Sequence, residues 1–119
     1  MGVLGINHIA FRSRSSARLR EFYGQLLGAE ALEGAHAPLR VGGTLLVFFE
    51  ADGPVGGDEL AFDVDARGFE ESLRHAESMG LAVRGPVEHT PWSRGFYVED
   101  PDGRRVEITY DDRAVYWQE

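Results

Sequence analysis

The sequence predicts an α+β fold built from two copies of a unit of one strand, one helix and three further strands. The first observation is an internal repeat, because segment 7–11 resembles segment 58–62 and places His8 and Glu59 at equivalent positions, 51 residues apart. The second is that a helical pattern follows each repeated strand, and the third is that short alternating segments follow each helix. We expect a single domain over residues 1–119, with modules at about 3–50 and 58–110 and a Gly-rich linker at 51–57.

The elements of the first module follow from local signals. After the first strand, Ser15 or Ser16 can cap a helix, and Gly28 ends it. The apolar residues between them lie at helical spacing: Leu19, Phe22, Tyr23 and Leu26. Strands are predicted at 31–32, 39–41 and 44–50, with a Gly-Gly turn before the last.

The second module repeats these signals. Asp65 can cap the second helix and Gly80 ends it, 52 positions after Gly28. Phe69, Leu73 and Ala76 form its apolar face, and Glu70 with Arg74 forms an i, i+4 pair on the outside. Strands are predicted at 81–83, 95–98 and 104–110, the last two joined by a turn at 100–103. Because each unit of about 50 residues is too small for a good core, we expect the two modules to associate through their sheets.

Charge and composition exclude several classes of protein. The chain carries 12 basic residues, all arginine, against 20 acidic ones, which gives a net charge of -8 and argues against a nucleic-acid partner. The absence of cysteine excludes a disulfide framework and any cysteine-ligated metal site. The longest apolar run, 45–49, is far shorter than the ~20 residues of a membrane-spanning helix. We expect a cytoplasmic protein without membrane partners.

Strand alternation predicts which side chains face away from the helices. If the apolar residues of each strand face its helix, the opposite face of the sheets carries His8, Arg12, Glu59, Asp63, Arg105 and Glu107. One imidazole and two carboxylates, from His8, Glu59 and Glu107, are suitable ligands for a divalent Zn, Fe, Mn, Ni or Co ion. The alternative is an ordinary solvated sheet face.

The sequence resembles the vicinal oxygen chelate superfamily, which includes glyoxalase I, extradiol dioxygenases, fosfomycin-modifying enzymes and bleomycin-resistance proteins. The resemblance rests on four segments and covers the chain from Val3 to about Tyr110: NHIAF at 7–11, the helix with FY at 22–23 and LLG at 26–28, LAFDV at 60–64, and FYVEDPDGRRVE at 96–107. It implies two βαβββ modules that pair into a curved mixed sheet enclosing a cavity, with the helices outside.

The resemblance also implies a set of ligand positions. His8 matches the first-strand histidine of the family and Glu107 the last-strand glutamate, whereas Glu59 replaces the usual second histidine. The fourth family position falls on Val47, and alternation points nearby Glu50 to the other face. Glyoxalase-type members normally carry Glu or Gln at that position, so four-ligand glyoxalase chemistry is disfavoured here.

Further residues are expected around the cavity. Trp92 and Arg94 lie in the loop before the hairpin, where family members often contact their ligand, although a plain surface loop explains them equally well. The register inferred from Val47 places Phe49 in the cavity, beside the substrate-pocket candidates Arg12, Asp63 and Arg105. Glu59 or Glu107 is the candidate catalytic group for moving a proton.

The function predicted from these features is a metal-dependent enzyme of the vicinal oxygen chelate type acting on a small oxygenated substrate. Lyase, isomerase, dioxygenase and thiol-transferase reactions all share a metal-polarised oxygen, and the sequence does not select among them. The alternative is a metal-free protein of the bleomycin-resistance type that binds and sequesters a small molecule, for which a cationic ligand would suit the acidic cavity. A third is a structural or regulatory dimer with a vestigial cavity. The resemblance implies a homodimer in all three cases.

Overall fold

The structure of the protein is a computed structural model, which describes residues 6, 8–33, 37–56, 59–90 and 93–111. The chain divides into two compact units, Met1–Gly56 and Gly57–Glu119. In the described residues each unit contains four strands and one helix in the order βαβββ, which confirms the α+β fold and the two modules predicted from the repeat.

The first unit contains a four-stranded mixed sheet and one helix. Its elements are β1 (His8–Ser13), α1 (Ser16–Leu27), β2 (Glu30–Ala31), β3 (Leu39–Val41) and β4 (Thr44–Glu50). The strands are arranged in the order β1-β4-β3-β2, with β1 parallel to β4 and the other neighbours antiparallel. The helix connects β1 to the antiparallel strands and covers one face of the sheet.

Helix α1 packs through the apolar face that its sequence predicts. All four of its predicted core residues are buried, and the Tyr23 ring stacks on Phe11 of β1 with 5.1 Å between ring centroids. Phe11 in turn stacks on Phe48 of β4 at 5.5 Å, so aromatic rings link the helix to the two central strands. Gly28 ends the helix in the left-handed conformation, with φ of 58°, as predicted.

The N-terminus of α1 is capped from a distant part of the chain. Ser15 holds the N-cap position, but its side chain makes no capping hydrogen bond. The carboxylate of Glu50, at the end of β4, instead accepts hydrogen bonds from the backbone N–H and the hydroxyl of Ser16, at 2.6 and 2.7 Å. Glu50 therefore lies on the helix side, as its predicted orientation requires, and its negative charge stabilises the positive end of the helix dipole.

The second unit repeats the topology of the first. Its elements are β5 (Leu60–Val64), α2 (Ala66–Ser78), β6 (Arg84–Thr90), β7 (Ser93–Glu99) and β8 (Arg105–Asp111). The strand order is β5-β8-β7-β6, with β5 parallel to β8 and the other neighbours antiparallel. Within the described ranges, neither α1 nor α2 is long and apolar enough to cross a membrane.

Helix α2 begins as the sequence predicts. The Asp65 side chain accepts a hydrogen bond of 2.7 Å from the Gly68 N–H. Phe69 is buried against Phe96 of β7 in an edge-to-face contact, with 5.6 Å between centroids. Among the acidic residues of the helix, Glu70 pairs with Arg94 of β7 rather than with the Arg74 that the i, i+4 spacing predicts.

The prediction of a strand at 81–83 is wrong, because these residues form a loop and the strand lies further on, at Arg84–Thr90. Segment 84–90 contains Pro86, which cannot donate to a strand ladder. However, β6 is an edge strand of its sheet, where proline is tolerated, and its pairing with β7 is interrupted by register shifts.

The turn between β7 and β8 is organised by one buried carboxylate. Asp100 Oδ1 accepts hydrogen bonds from the backbone N–H groups of Asp102 and Arg104, at 2.8 and 2.9 Å. Its Oδ2 lies 3.2 Å from Nη1 of Arg104, whose side chain is itself buried. Gly103 takes a φ of 85°, a conformation that favours glycine. The predicted turn at 100–103 is confirmed, and it fixes the strand that carries Arg105 and Glu107.

Candidate functional site

The face of the first sheet opposite α1 carries the candidates from the first unit. His8 and Arg12 are exposed on β1, where burial alternates with their neighbours. The parallel register pairs Arg12 with Phe49 of β4, whose side chain is 37% exposed, whereas Phe48 is buried in the core. Phe49 therefore lies on the same face as His8 and Arg12.

The same register locates the fourth ligand position of the family. Val47 pairs with Ala10 and lies on the face that carries His8. An aliphatic side chain supplies no donor atom for a metal ion. Among the described residues of the first unit, this face carries the imidazole of His8 but, at position 47, no carboxylate or amide.

The candidates of the second unit lie on the face of its sheet opposite α2. Burial alternates along β8, where Val106 and Ile108 are buried and Glu107 is half-buried on the other side. Asp63 is exposed on β5 and pairs in register with Thr109 of β8. Asp63 and Glu107 therefore lie on the face of the sheet opposite α2, which is the face that strand alternation predicts for them.

Glu59 forms an ion pair with Arg105. Its Oε1 lies 3.1 Å from Nε of Arg105, and the two side chains are about half exposed. The pair forms because Leu60 is in register with Val106, which places the preceding residues, Glu59 and Arg105, side by side. The guanidinium carbon also lies 4.3 Å from the centroid of the Tyr97 ring, a cation–π contact that further restrains the arginine.

Glu107 has a partner of its own. Tyr97 of β7 is directly opposite Glu107 in the antiparallel register and donates a hydrogen bond to its carboxylate. Burial, the negative charge of Glu107 and this hydrogen bond together raise the pKa of Tyr97 above its ordinary value of 10.0. The phenol is therefore protonated at neutral pH and acts as a donor.

The four residues Glu59, Tyr97, Arg105 and Glu107 form one connected polar network, which we call the second-sheet network. Tyr97 is the member that the site prediction omitted. Its position was available from alternation, because Phe96 and Val98 on either side of it are apolar and face the helix. A cleft of about 440 Å³ adjoins this network in the second unit, between residues 80–84 and strands β7 and β8.

Two predicted pocket residues do not join the network. Arg94 lies on the helix side of the same sheet, where its guanidinium carbon is 4.9 Å from the Phe69 ring centroid and its Nη1 is 3.8 Å from Glu70 Oε1. This placement favours a packing role for Arg94 on α2. Trp92 lies outside the described residues.

The arrangement of the candidate ligands decides whether they can hold a divalent ion. Among the residues that the structure describes, no group of three or more His, Asp or Glu side chains is arranged to hold a metal. In the second unit, a guanidinium lies against the carboxylate of Glu59, and a fixed positive charge at that distance opposes binding of a second cation. As the structure arranges them, Glu59 and Glu107 do not fit a resident metal ion.

Comparison with solved structures places these features in a known fold. Oxidase ChaP-H2 is 26% identical, with a TM-score of 0.79 over 92% of this chain and 94% of that chain. TnmS3, an antibiotic binding protein from Streptomyces sp. CB03234, is 23% identical, with a TM-score of 0.73 over 93% and 98%. Lactoylglutathione lyase from Agrobacterium tumefaciens is 20% identical, with a TM-score of 0.75 over the full length of both chains.

These structural relatives include an oxidase, a lyase and a binding protein, so the shared fold does not by itself select a function. The family model for the Glyoxalase/Bleomycin resistance protein/Dioxygenase superfamily matches residues 5–108, and the chain therefore belongs to that superfamily.

Proposed function

We propose that this protein is a metal-free small-molecule binding protein of the superfamily. One observation carries the proposal, namely that both carboxylates expected to bind a metal in the second unit already have protein partners. Glu59 is paired with Arg105, and Glu107 accepts a hydrogen bond from Tyr97. Both carboxylates are thereby converted from candidate ligands into groups that orient an arginine and a tyrosine.

An arginine and a tyrosine held in this way are typical components of a site that binds an organic molecule. A guanidinium restrained on an aromatic ring loses little rotamer entropy when a ligand binds, which favours affinity. The tyrosine supplies a flat apolar surface with a polar end. Arg12, Phe49 and Asp63 stay predicted pocket residues and Trp92 stays a sequence-based candidate, whereas Arg94 packs on α2. Homodimerisation and a cytoplasmic location also stay predictions.

The test is elemental analysis of protein purified without chelator and without a metal-affinity step. We expect a metal content far below one ion per chain. We also expect added Zn, Mn, Fe, Co or Ni to raise the melting temperature of the wild type no more than it raises that of the His8→Ala variant. The His75→Ala variant, which removes a histidine of α2, serves as the matched control. Stoichiometric metal that is lost in His8→Ala and kept in His75→Ala would overturn the proposal.

A second candidate is the metal-dependent enzyme predicted from the sequence, with His8, Glu59 and Glu107 as ligands and Glu59 or Glu107 as the proton-transfer group. It is supported by the positions of these residues on the sheet faces opposite the helices and by structural relatives that include an oxidase and a lyase. In this case Glu59 would first have to leave Arg105. The same elemental analysis distinguishes the two candidates, because only the second requires an ion.

A further inference from the structure

The cleft of about 440 Å³ in the second unit has the size of a small-molecule site. One wall is the loop that follows α2, where half-buried Leu81 and Val83 supply apolar surface. Tyr97 forms part of the opposite wall. The charged residues that line the cleft are Arg84, Glu99, Asp100 and Arg105, and the side chain of Asp100 is fully buried in its ion pair with Arg104. The cleft therefore combines apolar walls with a few charged groups that could orient a ligand.

Arg105 retains hydrogen-bonding capacity toward this cleft. Glu59 is bound at the Nε side of its guanidinium, and the Tyr97 ring restrains the plane of the group. A guanidinium has five N–H donors in a planar fork, and one carboxylate uses at most two of them. Within the described ranges no second carboxylate is paired with Arg105. Its remaining donors are therefore available to an acceptor from outside.

Arg84 adds a second guanidinium beside Tyr97, on the strand opposite the one that carries Arg105. It lies on the edge strand β6, directly opposite Tyr97 in register, and its side chain is exposed. In the part of the chain that the structure describes, none of the ion pairs involves Arg84. Tyr97 is thus flanked by arginines from the strands on either side of it.

The carboxylates near the cleft do not cancel these two cations. Glu59 is already paired with Arg105, and Glu107 accepts from the Tyr97 hydroxyl without lining the cleft. Asp100 is buried in its ion pair with Arg104, and Glu99, opposite Arg105 in register, is the exposed acidic side chain among the residues that line the cleft. A solvated carboxylate at that position weakens anion binding only modestly, because water and salt screen it.

We propose that this cleft binds a small aromatic carboxylate, with the carboxylate held by Arg84 and Arg105 and the ring placed against Tyr97 and the apolar loop. The inference rests on the proposed binding function and names the class of ligand. It differs from the cationic ligand that the acidic composition favours. Because the whole chain carries a net charge of -8, general electrostatic attraction cannot explain anion binding, so any such binding reports on this local site.

The experiment is a calorimetric or NMR titration of the full chain with benzoate, and with benzamide and benzylamine as the neutral and cationic ligands of similar shape. We expect benzoate to bind about tenfold more tightly than benzamide, a difference of about 1.4 kcal/mol, because its charged carboxylate makes stronger hydrogen bonds to a guanidinium than a neutral amide does. Benzylamine should bind no better than benzamide.

Single-residue variants locate the binding. Arg84→Gln and Arg105→Gln should each weaken benzoate binding about tenfold, on the same energetic ground. Glu99→Gln should strengthen it a few-fold, because it removes the negative charge at the rim. Arg74→Gln, on α2, makes the same change of charge away from the cleft and should leave the affinity unchanged. If Arg105→Gln does not fold, Arg105→Lys keeps the charge and removes the planar fork, and it should still weaken binding.

The inference is overturned if benzoate binds no more tightly than benzamide, if benzylamine is preferred, or if Arg74→Gln weakens binding as much as Arg84→Gln. Failure of the proposed function has a different signature, because it would be seen as stoichiometric metal that depends on His8, whatever the result with benzoate. A metal-free protein that prefers benzylamine would overturn the anion inference while leaving the binding function intact.

Discussion

Replacing Asp100 with alanine should be the most destabilising single change in the turn between β7 and β8. The carboxylate is fully buried, with its side chain 0% exposed, and lies 3.2 Å from Nη1 of Arg104, which is 8% exposed. Removing one partner of a buried ion pair costs about 3–5 kcal/mol, of which the second carboxylate near Arg104, that of Asp102 at 3.3 Å, offsets a part. The two backbone N–H groups that donate to Oδ1 also lose their acceptor, and partial access to water offsets some of that cost.

We therefore expect Asp100→Ala to lower the free energy of unfolding by about 4 kcal/mol, a large fraction of the total of about 5–15 kcal/mol for an average domain. Asp100→Asn keeps an oxygen for the backbone donors and loses only the charge, so it should cost about half as much. The matched control is Asp102→Ala, whose carboxylate lies 3.3 Å from Nη1 of Arg104 and is 9% exposed. Because Arg104 keeps Asp100 as its partner in this variant, it should cost less, about 2 kcal/mol.

Urea denaturation followed by circular dichroism measures these differences, provided that the slope against urea concentration is the same in all variants. The reasoning is refuted if Asp100→Ala costs less than about 1 kcal/mol, or no more than Asp102→Ala. Either result would mean that Arg104 finds water or another acceptor when Asp100 is removed, so that its burial does not depend on the ion pair.

Two further predictions concern titrating groups. The pKa of Glu50 is held below its ordinary value of 4.5, mainly by the hydrogen bond from the Ser16 backbone N–H and secondly by the one from the Ser16 hydroxyl. The stabilisation that these bonds supply is therefore fully present above pH 4.5 and is lost as the pH falls through the lowered pKa. The melting temperatures of wild type and Glu50→Gln should therefore converge at acid pH, and a difference that stays constant would contradict this. Burial and Glu107 raise the pKa of Tyr97 above 10.0, so Glu107→Gln should lower the pH midpoint at which Tyr97 ionises. The measurement is a titration followed by the ultraviolet absorbance of tyrosine, and the Tyr97→Phe variant identifies the signal of this residue. An unchanged midpoint would disprove the contact between Glu107 and Tyr97.

The architecture was predictable because each of its signals is local. Helix α1 needs only the spacing of its four apolar residues and Gly28, and helix α2 needs Asp65 and Phe69. Strand faces follow from a period of two whenever one face is buried. The same local reasoning failed at β6, because whether Pro86 is tolerated depends on the strand being at an edge, which is a property of the sheet rather than of the segment.

The capping of α1 shows the same limit. The sequence offers Ser15 or Ser16 as the cap, and Ser15 does hold the N-cap position. The side-chain acceptor at this end, however, is the carboxylate of Glu50, 34 residues beyond Ser16. This arrangement depends on β4 lying parallel to β1, which brings the end of β4 next to the start of the helix. Strand alternation predicts only that Glu50 lies on the helix side. Its role as the acceptor at the start of α1 follows from the topology of the sheet.

Glu59 shows most clearly how register changes a functional interpretation. From the sequence it is a carboxylate at the position of a family histidine, and a metal ligand is the natural hypothesis. Its partner is decided by the parallel register of β5 against β8, which pairs Leu60 with Val106 and therefore puts Arg105 beside Glu59. A shift of one residue would move Arg105 to the other face and leave Glu59 without this cation. The chemistry of the site thus depends on which cation the carboxylate binds, and here the geometry favours the guanidinium of the protein over an ion from solution.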